Sequence, residues 1–297
     1  MGGRSLSQKP FHEIEKAITE DEGNRGISNR LNSYQDYCQG LHSLYKGRRI
    51  LILTGFTVPD CHTGESDGPL GAIVLAKALE DLGKEILIVT DKYSKKILEG
   101  LKKIKEISGD IHSVPINVDK QELQKLLNHF KPTHMIAIER PGKGIDGKYH
   151  SMRGEDISDY VGDLDPLMAM AKKEKIITMA IGDGGNEMGM GKIRSKGIPY
   201  VHQGDKVFAT STADYLILAG VSNWGAYGLV AGLSILSNMD LLQEEKEEVR
   251  LLKTLTELGG VDGCTKERSM TVDGLSLGTN LNLLLKLKNI IEKNLSE

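Results

Sequence analysis

The chain has 297 residues, of which 39% are apolar and 27% are charged, and its formal net charge is −3. These proportions are typical of a folded globular protein and exclude a disordered or fibrous chain. Because the 38 basic residues are scattered among 41 acidic ones, the clustered basic surface of a nucleic-acid-binding protein is not expected.

The N-terminal segment, residues 1–46, is expected to be helical and to pack on the main body of the protein. Apolar side chains recur at loose helical spacing from Phe11 to Leu44. The spacing is interrupted by a glycine-rich stretch around Gly23 and Gly26, which predicts a break between two helices.

Residues 47–297 alternate strand-like and helix-like segments. This pattern predicts an α/β fold with a mostly parallel sheet, helices on both of its faces and helical additions at both ends. We expect a single domain, with an apolar first strand at 49–54 buried on both faces. Further strands are predicted at 84–90, 112–118 (ending near Pro115), 134–138, 176–181 and 215–218. Helices are predicted at 70–82, 94–106, 119–130, 164–173, 224–236, 240–258 and 279–293.

The helix predicted at 224–236 is rich in glycine and alanine. Its side chains Trp224, Tyr227 and Leu229 fit either a buried core or a subunit interface, so the sequence leaves a homo-oligomer open.

The cysteines and the hydropathy pattern bear on the cellular location. Three cysteines lie far apart without a CxxC motif, so neither a disulfide framework nor a zinc knuckle is expected. Residues 1–10 are polar and lack the apolar region of a signal peptide. No stretch approaches the roughly 20 apolar residues of a membrane span. We therefore predict a cytoplasmic protein without a membrane partner.

The loop at 55–71 is the first candidate for a functional site, because ligands of open parallel sheets bind beyond the carboxyl ends of the strands. It places Glu65 and Asp67 just before a helix whose N-terminal N–H groups face the same space. Gly68 allows the backbone to turn tightly and approach a ligand. Capping of the helix by Ser66 or Asp67 is the alternative interpretation.

The loop at 139–156 carries Arg140 and Arg153, and each guanidinium can bind a carboxylate through two parallel hydrogen bonds. The alternative is an internal ion pair, such as Arg153 with Asp156 or Arg140 with Glu139. His150 is either a proton-transfer group or an ordinary hydrogen-bonding side chain.

The glycine-rich loop at 181–192 resembles a nucleotide-binding loop only superficially. Glu187 occupies the position of the third glycine of GxGxxG, counted from Gly182. Ile193 replaces the Ser or Thr that holds magnesium in a P-loop. Nucleotide binding is therefore not expected.

The same loop carries Asp183, Asn186 and Glu187. Their oxygens suit Mg²⁺ or Mn²⁺, or alternatively a substrate amine. If a metal binds, Asp183 and Glu187 are the expected ligands. Zinc is not expected without a cluster of His and Cys.

The three loops resemble the D-glutamate cyclase C-terminal domain family. The motifs that carry the resemblance are VPDCHTGESDGPLGA at 58–72, ERPG at 139–142, YHSMRGEDI at 149–157 and IGDGGNEMGMG at 181–191. Two later stretches are similar to the closing segment of the family, GVDGCT at 260–265 and TVDG at 271–274. The resemblance covers about residues 40 to 290. It implies a stand-alone, bacterial-type member that converts D-glutamate to 5-oxo-D-proline and water.

This reaction predicts roles for the loop residues, since a carboxylate is a poor electrophile and needs an acid, a cation or a metal to neutralise it. The predicted catalytic residues are Glu65, Asp67, Asp183 and Asn186. The predicted substrate-binding residues are Gly68, Arg140, His150, Arg153, Gly184 and Gly185. The assignment requires the three loops to meet in one hollow at one edge of the sheet.

Two other functions remain open from the sequence. One is a metal-dependent hydrolase or lyase that acts on another small carboxylate metabolite. The other is a non-catalytic protein that binds an amino acid. All three interpretations share a small-molecule partner bound at the same loops.

Overall fold

A computed structural model describes residues 8–20 and 27–295. The break predicted around Gly23 and Gly26 lies outside these residues. In the described part of the chain, the strands are β1 (Arg49–Thr54), β2 (Thr57–Val58), β3 (Thr63–Gly64), β4 (Glu85–Asp91), β5 (Asp110–Val114), β6 (His134–Ile138), β7 (Ile177–Gly182), β8 (Tyr215–Leu218), β9 (Thr271–Val272) and β10 (Leu275–Ser276). The helices are α1 (Lys9–Ile18), α2 (Tyr34–Lys46), α3 (Pro69–Asp81), α4 (Lys92–Lys105), α5 (Lys120–Phe130), α6 (Pro166–Lys173), α7 (Arg194–Gly197), α8 (Gly204–Val207), α9 (Ser222–Ser237), α10 (Glu245–Glu257) and α11 (Leu277–Glu292).

Six strands form a parallel sheet in the order β5-β4-β1-β6-β7-β8, which confirms the predicted α/β fold. Strand β4 pairs with one edge of β1, and β6 pairs with the other edge. A crevice therefore opens beyond the carboxyl ends of β1 and β6, where parallel sheets of this order bind ligands.

The apolar run of β1 contributes to two separate cores because successive side chains of a strand point to opposite faces. Ile50 and Ile52 pack in the core that contains α3 and α9. Leu51 and Leu53 pack in the core on the other face of the sheet. This explains why β1 has no polar side on either face.

Helix α9 lies in the core. Trp224 and Tyr227 are each 1% exposed and Leu229 is fully buried, so the core interpretation of these side chains is confirmed. The Trp224 indole donates to Asn280 and the Tyr227 hydroxyl donates to Glu248. Helices α1 and α2 pack against α9; the boundary at residue 46 stays a prediction.

The predicted strand at 112–118 differs most from the structure. It begins earlier, as β5, and ends at Val114 because Pro115 has no N–H to donate to the sheet. The two-residue strands β2, β3, β9 and β10 were too short for a period-two pattern to reveal. Within 8–20 and 27–295, no helix has the length and apolar character that crossing a membrane requires. The three cysteines are free.

Candidate active site

A cavity of about 350 Å³ opens beyond the carboxyl ends of the strands, at the lower end of the volumes typical of small-molecule sites. The first loop contributes Asp60 and Glu65, the second contributes Glu139 and Arg153, and the third contributes Asn186. The prediction that the three loops meet in one hollow is therefore confirmed.

Two segments that the sequence did not predict complete the cavity wall, at 200–202 and 263–273. Strands β9 and β10 form a hairpin whose central residues, Asp273 and Gly274, have φ values of +54° and +76°. Asp-Gly is favoured where both central residues of a two-residue hairpin need positive φ. The hairpin places Asp273 in the cavity wall.

Glu139 in the cavity wall belongs to a cluster of three carboxylates. Oxygens of Asp67, Glu139 and Asp183 lie within 4.8 Å of one another, and the side chains are 1%, 5% and 1% exposed. Glu139 directly follows β6 and Asp183 directly follows β7. Because β6 and β7 are paired with Ile138 opposite Ile181, the two carboxylates emerge side by side.

Glu139 has a φ of +42°, which is uncommon for a residue other than glycine, asparagine or aspartate. Backbone strain of this kind clusters at functional sites. The left-handed backbone supports a functional role for Glu139, which the sequence did not single out.

The N-terminus of α9 holds the carboxylate cluster. The Ser222 N–H donates to Asp67 at 2.9 Å and to Asp183 at 3.2 Å, and the Asn223 N–H donates to Asp67 at 2.7 Å. The Ser222 hydroxyl donates to Oε2 of Glu139 at 2.6 Å. Negative charge is favoured at a helix N-terminus because the N–H groups and the helix dipole point towards it.

The side chain of Asn223 also joins α9 to the start of α3. Its Oδ1 accepts hydrogen bonds from the N–H groups of Gly68 and Gly71, at 2.9 and 2.7 Å. Gly68 has a φ of +90°, and a Cβ there would lie 2.7 Å from Cβ of Glu139. The Gly68 N–H is thus engaged within the protein and does not donate to a substrate, and the absent side chain leaves room for Glu139.

Burial raises the pKa of Asp67 well above its ordinary value, and the nearby charges of Asp273 and Asp183 raise it further. Burial likewise raises the pKa of Glu139, with Asp183 as the next largest cause. Within the described residues, no lysine or arginine forms an ion pair with Asp67 or Glu139. These carboxyls therefore favour binding a proton or a cation.

The cluster also suits a hard divalent cation. Three carboxylate oxygens can move together around an ion with oxygen ligands at about 2.1 Å, and the donors are the type that Mg²⁺ and Mn²⁺ prefer. The ligands would be Asp67, Glu139 and Asp183. The metal ligands predicted from the sequence were Asp183 and Glu187; Asp183 lies in this cluster and Glu187 does not.

Glu187 serves a different purpose in the structure. Its Oε1 accepts from the N–H groups of Asp183 and Gly184, at 3.3 and 2.6 Å, and its Oε2 accepts from the Gly185 N–H at 2.6 Å. The carboxylate therefore stabilises the glycine-rich loop. The predicted use of the Gly184 and Gly185 amides for substrate binding is not supported, because Glu187 already occupies them.

Arg140 is fully buried and bound within the protein. Its guanidinium pairs with Asp91 at 2.7 Å and donates to the carbonyl groups of Gly55 and Gly162, at 3.0 and 2.6 Å. The ion-pair alternative therefore describes Arg140, with Asp91 as the partner and not Glu139. Its donors reach no part of the cavity lining, so we do not assign it a substrate carboxylate.

Arg153 lies in the cavity wall with an exposed side chain. None of the described carboxylates forms an ion pair with its guanidinium, and Asp156 pairs with Lys148 at 2.6 Å instead. The positive charge of Arg153 lowers the pKa of Asp60, but the hydrogen bond and charge of Lys266 lower this pKa more. The guanidinium of Arg153 is therefore free to bind an anionic ligand.

His150 is 1% exposed and lies behind the cavity wall. Its Nε2 is 2.9 Å from both carboxylate oxygens of Asp146. Its backbone carbonyl accepts a hydrogen bond from Nδ2 of Asn186 at 2.8 Å. Of the two interpretations of His150, the hydrogen-bonding one describes this arrangement.

Glu65 lies in the cavity wall and is 7% exposed. Its backbone forms a bridge with Val261, and a Cβ at Gly263 would collide with its carboxylate. The segment after α10 thus contacts Glu65 closely, which accounts for a glycine at position 263.

The sequence analysis did not identify four of the site residues, namely Glu139, Ser222, Asn223 and Asp273. A signal existed for some of them, since Glu139 comes directly after an apolar strand and Ser222-Asn223 precede the helix after the last strand. These are positions where open sheets place ligand-binding groups and helix caps.

The comparisons with known proteins agree with the sequence motifs. A sequence model of the D-glutamate cyclase-like, C-terminal family matches residues 14–288. The human protein named D-glutamate cyclase, mitochondrial, is 35% identical over 246 residues, which cover 78% of this chain and 40% of the human protein. This chain thus spans less than half the length of that relative. The resemblance is confirmed, and the chain belongs to the D-glutamate cyclase-like C-terminal family.

Proposed function

We propose that this protein is a carbon–oxygen lyase that closes D-glutamate to 5-oxo-D-proline and releases water. Its family and its human relative support this class of reaction. One observation carries the proposal: Glu139, a buried carboxyl that pairs with no lysine or arginine among the described residues, lines a cavity whose wall also holds the free guanidinium of Arg153. Such a cavity suits a small molecule with both an amine and carboxylates.

The reaction requires two proton movements. The α-ammonium group of glutamate loses two protons, and one oxygen of the γ-carboxylate gains two. A bond forms between the nitrogen and the γ-carbon, and the bond between that carbon and the protonated oxygen breaks to release water. A site for this reaction needs a base near the amine and an acid near the departing oxygen.

Two carboxyls in the cavity wall suit these roles. Glu139 lines the cavity and has a raised pKa, so it supplies a proton to the departing oxygen. Glu65 lines the same cavity and accepts a proton from the amine. Asp67 and Asp183 lie beside Glu139, and their charges help to keep it protonated. Neighbouring carboxyls with separated pKa values are a recurrent way to divide acid and base roles.

Arg153 holds the carboxylate that does not react, because a guanidinium binds a carboxylate with two parallel hydrogen bonds. A substrate held in this way is already folded for ring closure. Positioning of an intramolecular nucleophile contributes a large part of such an acceleration.

A Mg²⁺ or Mn²⁺ ion is the alternative to a proton on Glu139, because Asp67, Glu139 and Asp183 would hold the ion as carboxylates. Such an ion would supply positive charge against the reacting carboxylate. The chemistry of this donor set, three oxygens from acidic side chains, supports the choice of a hard cation.

The deciding experiment incubates purified protein with D-glutamate or L-glutamate, with and without Mn²⁺, and detects 5-oxoproline by NMR. We expect conversion of the D enantiomer, and a loss of roughly 100-fold or more in kcat for Glu139→Gln. Glu257→Gln, on the surface helix α10, is the matched control and should retain activity. If neither enantiomer is consumed under any condition, the proposed function is wrong.

The same samples separate the two other functions left open by the sequence. A hydrolase or lyase for another metabolite would leave glutamate unchanged and consume a different carboxylate. A binding protein would be stabilised by glutamate without forming product on long incubation.

A further inference from the structure

The side-chain amide of Asn186 has a fixed orientation. Its Nδ2 donates to the backbone carbonyl of His150 at 2.8 Å. A carbonyl oxygen only accepts hydrogen bonds, so this contact identifies which end of the amide is the NH₂ group. The carbonyl end, Oδ1, therefore faces away from His150.

Asn186 is 2% exposed and lines the cavity. None of the described residues donates a hydrogen bond to Oδ1, and Oδ1 is not among the fully buried atoms that lack a partner. No donor lies among the neighbours at Gly184, since a Cβ there would lie 2.9 Å from Oε1 of Glu187, 3.0 Å from Sδ of Met152 and 3.2 Å from Oδ1. The Oδ1 atom is thus an acceptor that reaches the cavity, where a donor of the ligand can bind it.

The chemistry of the substrate identifies that donor. The two carboxylates of glutamate only accept hydrogen bonds when ionised, and the α-nitrogen is the group with N–H donors. A carboxylate of the substrate would be repelled by Oδ1, whereas the α-nitrogen matches it. An N–H held by Oδ1 also turns the lone pair of the nitrogen away from Asn186.

We infer that Asn186 is a positioning residue that binds the α-nitrogen of the substrate through Oδ1 and so selects amino acids over dicarboxylates that lack an amine. This inference rests on the proposed function. With Arg153 on one carboxylate and Glu139 on the other, Asn186 supplies the third contact that enantiomer discrimination requires.

Glutarate tests this inference, because it is glutamate without the amine. Affinities are measured by calorimetry in the Glu139→Gln background, in which D-glutamate is not consumed. We expect that adding Asn186→Ala weakens D-glutamate binding roughly 10-fold or more. Glutarate binding should change by less than about 3-fold, since its contacts do not involve Asn186. Adding Asn128→Ala, on exposed α5, should alter neither.

The outcomes distinguish the role inferred for Asn186 from the proposed lyase function. Equal losses for both ligands would mean that Asn186 only maintains the loop, and unchanged D-glutamate binding would overturn the inference outright. In both cases the proposed function stands if the wild-type protein forms 5-oxoproline. If the wild-type protein forms none and the Glu139→Gln variant binds neither ligand, both proposals fail.

Discussion

The hydroxyl of Ser222 donates a hydrogen bond to Oε2 of Glu139 at 2.6 Å, so the first residue of α9 holds the carboxyl that directly follows β6. This contact joins parts of the chain 83 residues apart. It leaves Oε1 as the oxygen of Glu139 that can meet a substrate.

Ser222→Ala should therefore lower kcat about 10-fold with little change in KM, because the hydrogen bond orients Glu139 but touches no substrate. The control is Ser237→Ala in the same helix, whose hydroxyl bonds only to backbone carbonyls of α9. Steady-state kinetics on both variants measures the difference. Equal activity of Ser222→Ala and wild type would remove this contact from the mechanism.

Stability should depend on pH through Glu139. Its pKa lies above the ordinary value of 4.5 in the folded protein, so the folded state binds this proton more tightly than the unfolded chain. The contribution of Glu139 to the free energy of unfolding therefore rises as the pH falls from neutral through the folded pKa towards 4.5.

Glu139→Gln should flatten that rise, because glutamine does not titrate. Urea unfolding at about pH 8 and about pH 5.5, in the presence of a chelator, compares the two proteins. An identical pH dependence in the variant would contradict the assignment of a raised pKa to Glu139.

Arg140→Met should destabilise the protein by about 3–5 kcal/mol, because Asp91 would be left as an unpaired buried charge. Urea unfolding measures this loss, and the double variant Arg140→Met/Asp91→Leu should recover part of it. A normal stability combined with a raised KM would instead restore the substrate-binding role that the sequence predicted for Arg140.

Arg153→Gln should raise KM roughly 10- to 100-fold with kcat nearly unchanged, since a lost charged hydrogen bond to a substrate costs about 1.5–3 kcal/mol. Arg250→Gln, on the exposed face of α10, is the control. An unchanged KM would place the non-reacting carboxylate elsewhere in the cavity.

Mn²⁺ should raise the Tm of the wild-type protein if the three-carboxylate cluster binds it, because a ligand of the folded state stabilises that state. Asp183→Asn removes one of the three ligands and should abolish most of this shift. A shift of equal size in the variant would locate the ion outside the cluster.

Much of the fold was predictable because its signals are long. The apolar run of β1 and the amphipathic helices α4 and α10 each extend over several residues, so the hydrophobic pattern identifies them. The two-residue strands of the β9–β10 hairpin carry no such pattern. Only the Asp273-Gly274 pair marks that turn, and such pairs also occur in ordinary loops.

The location of the site was predictable from the sequence. The hydrogen-bond partners of its residues were less predictable. Polar loops after strands indicated where the ligand lies, but a sequence does not show which donors are already used. Glu187 and Arg140 both look available in the sequence, and both bind partners within the protein, Glu187 the adjacent amides and Arg140 the carboxylate of Asp91.

The hydrogen bonds of Glu187 affect the energetics of ligand binding. A loop as rich in glycine as 182–191 has many conformations in the unfolded chain. Glu187 restricts them during folding, through bonds from its own loop. Folding therefore orders this segment before a ligand binds, so ligand binding does not carry that entropy cost. A preorganised surface binds more tightly than one that its ligand must order.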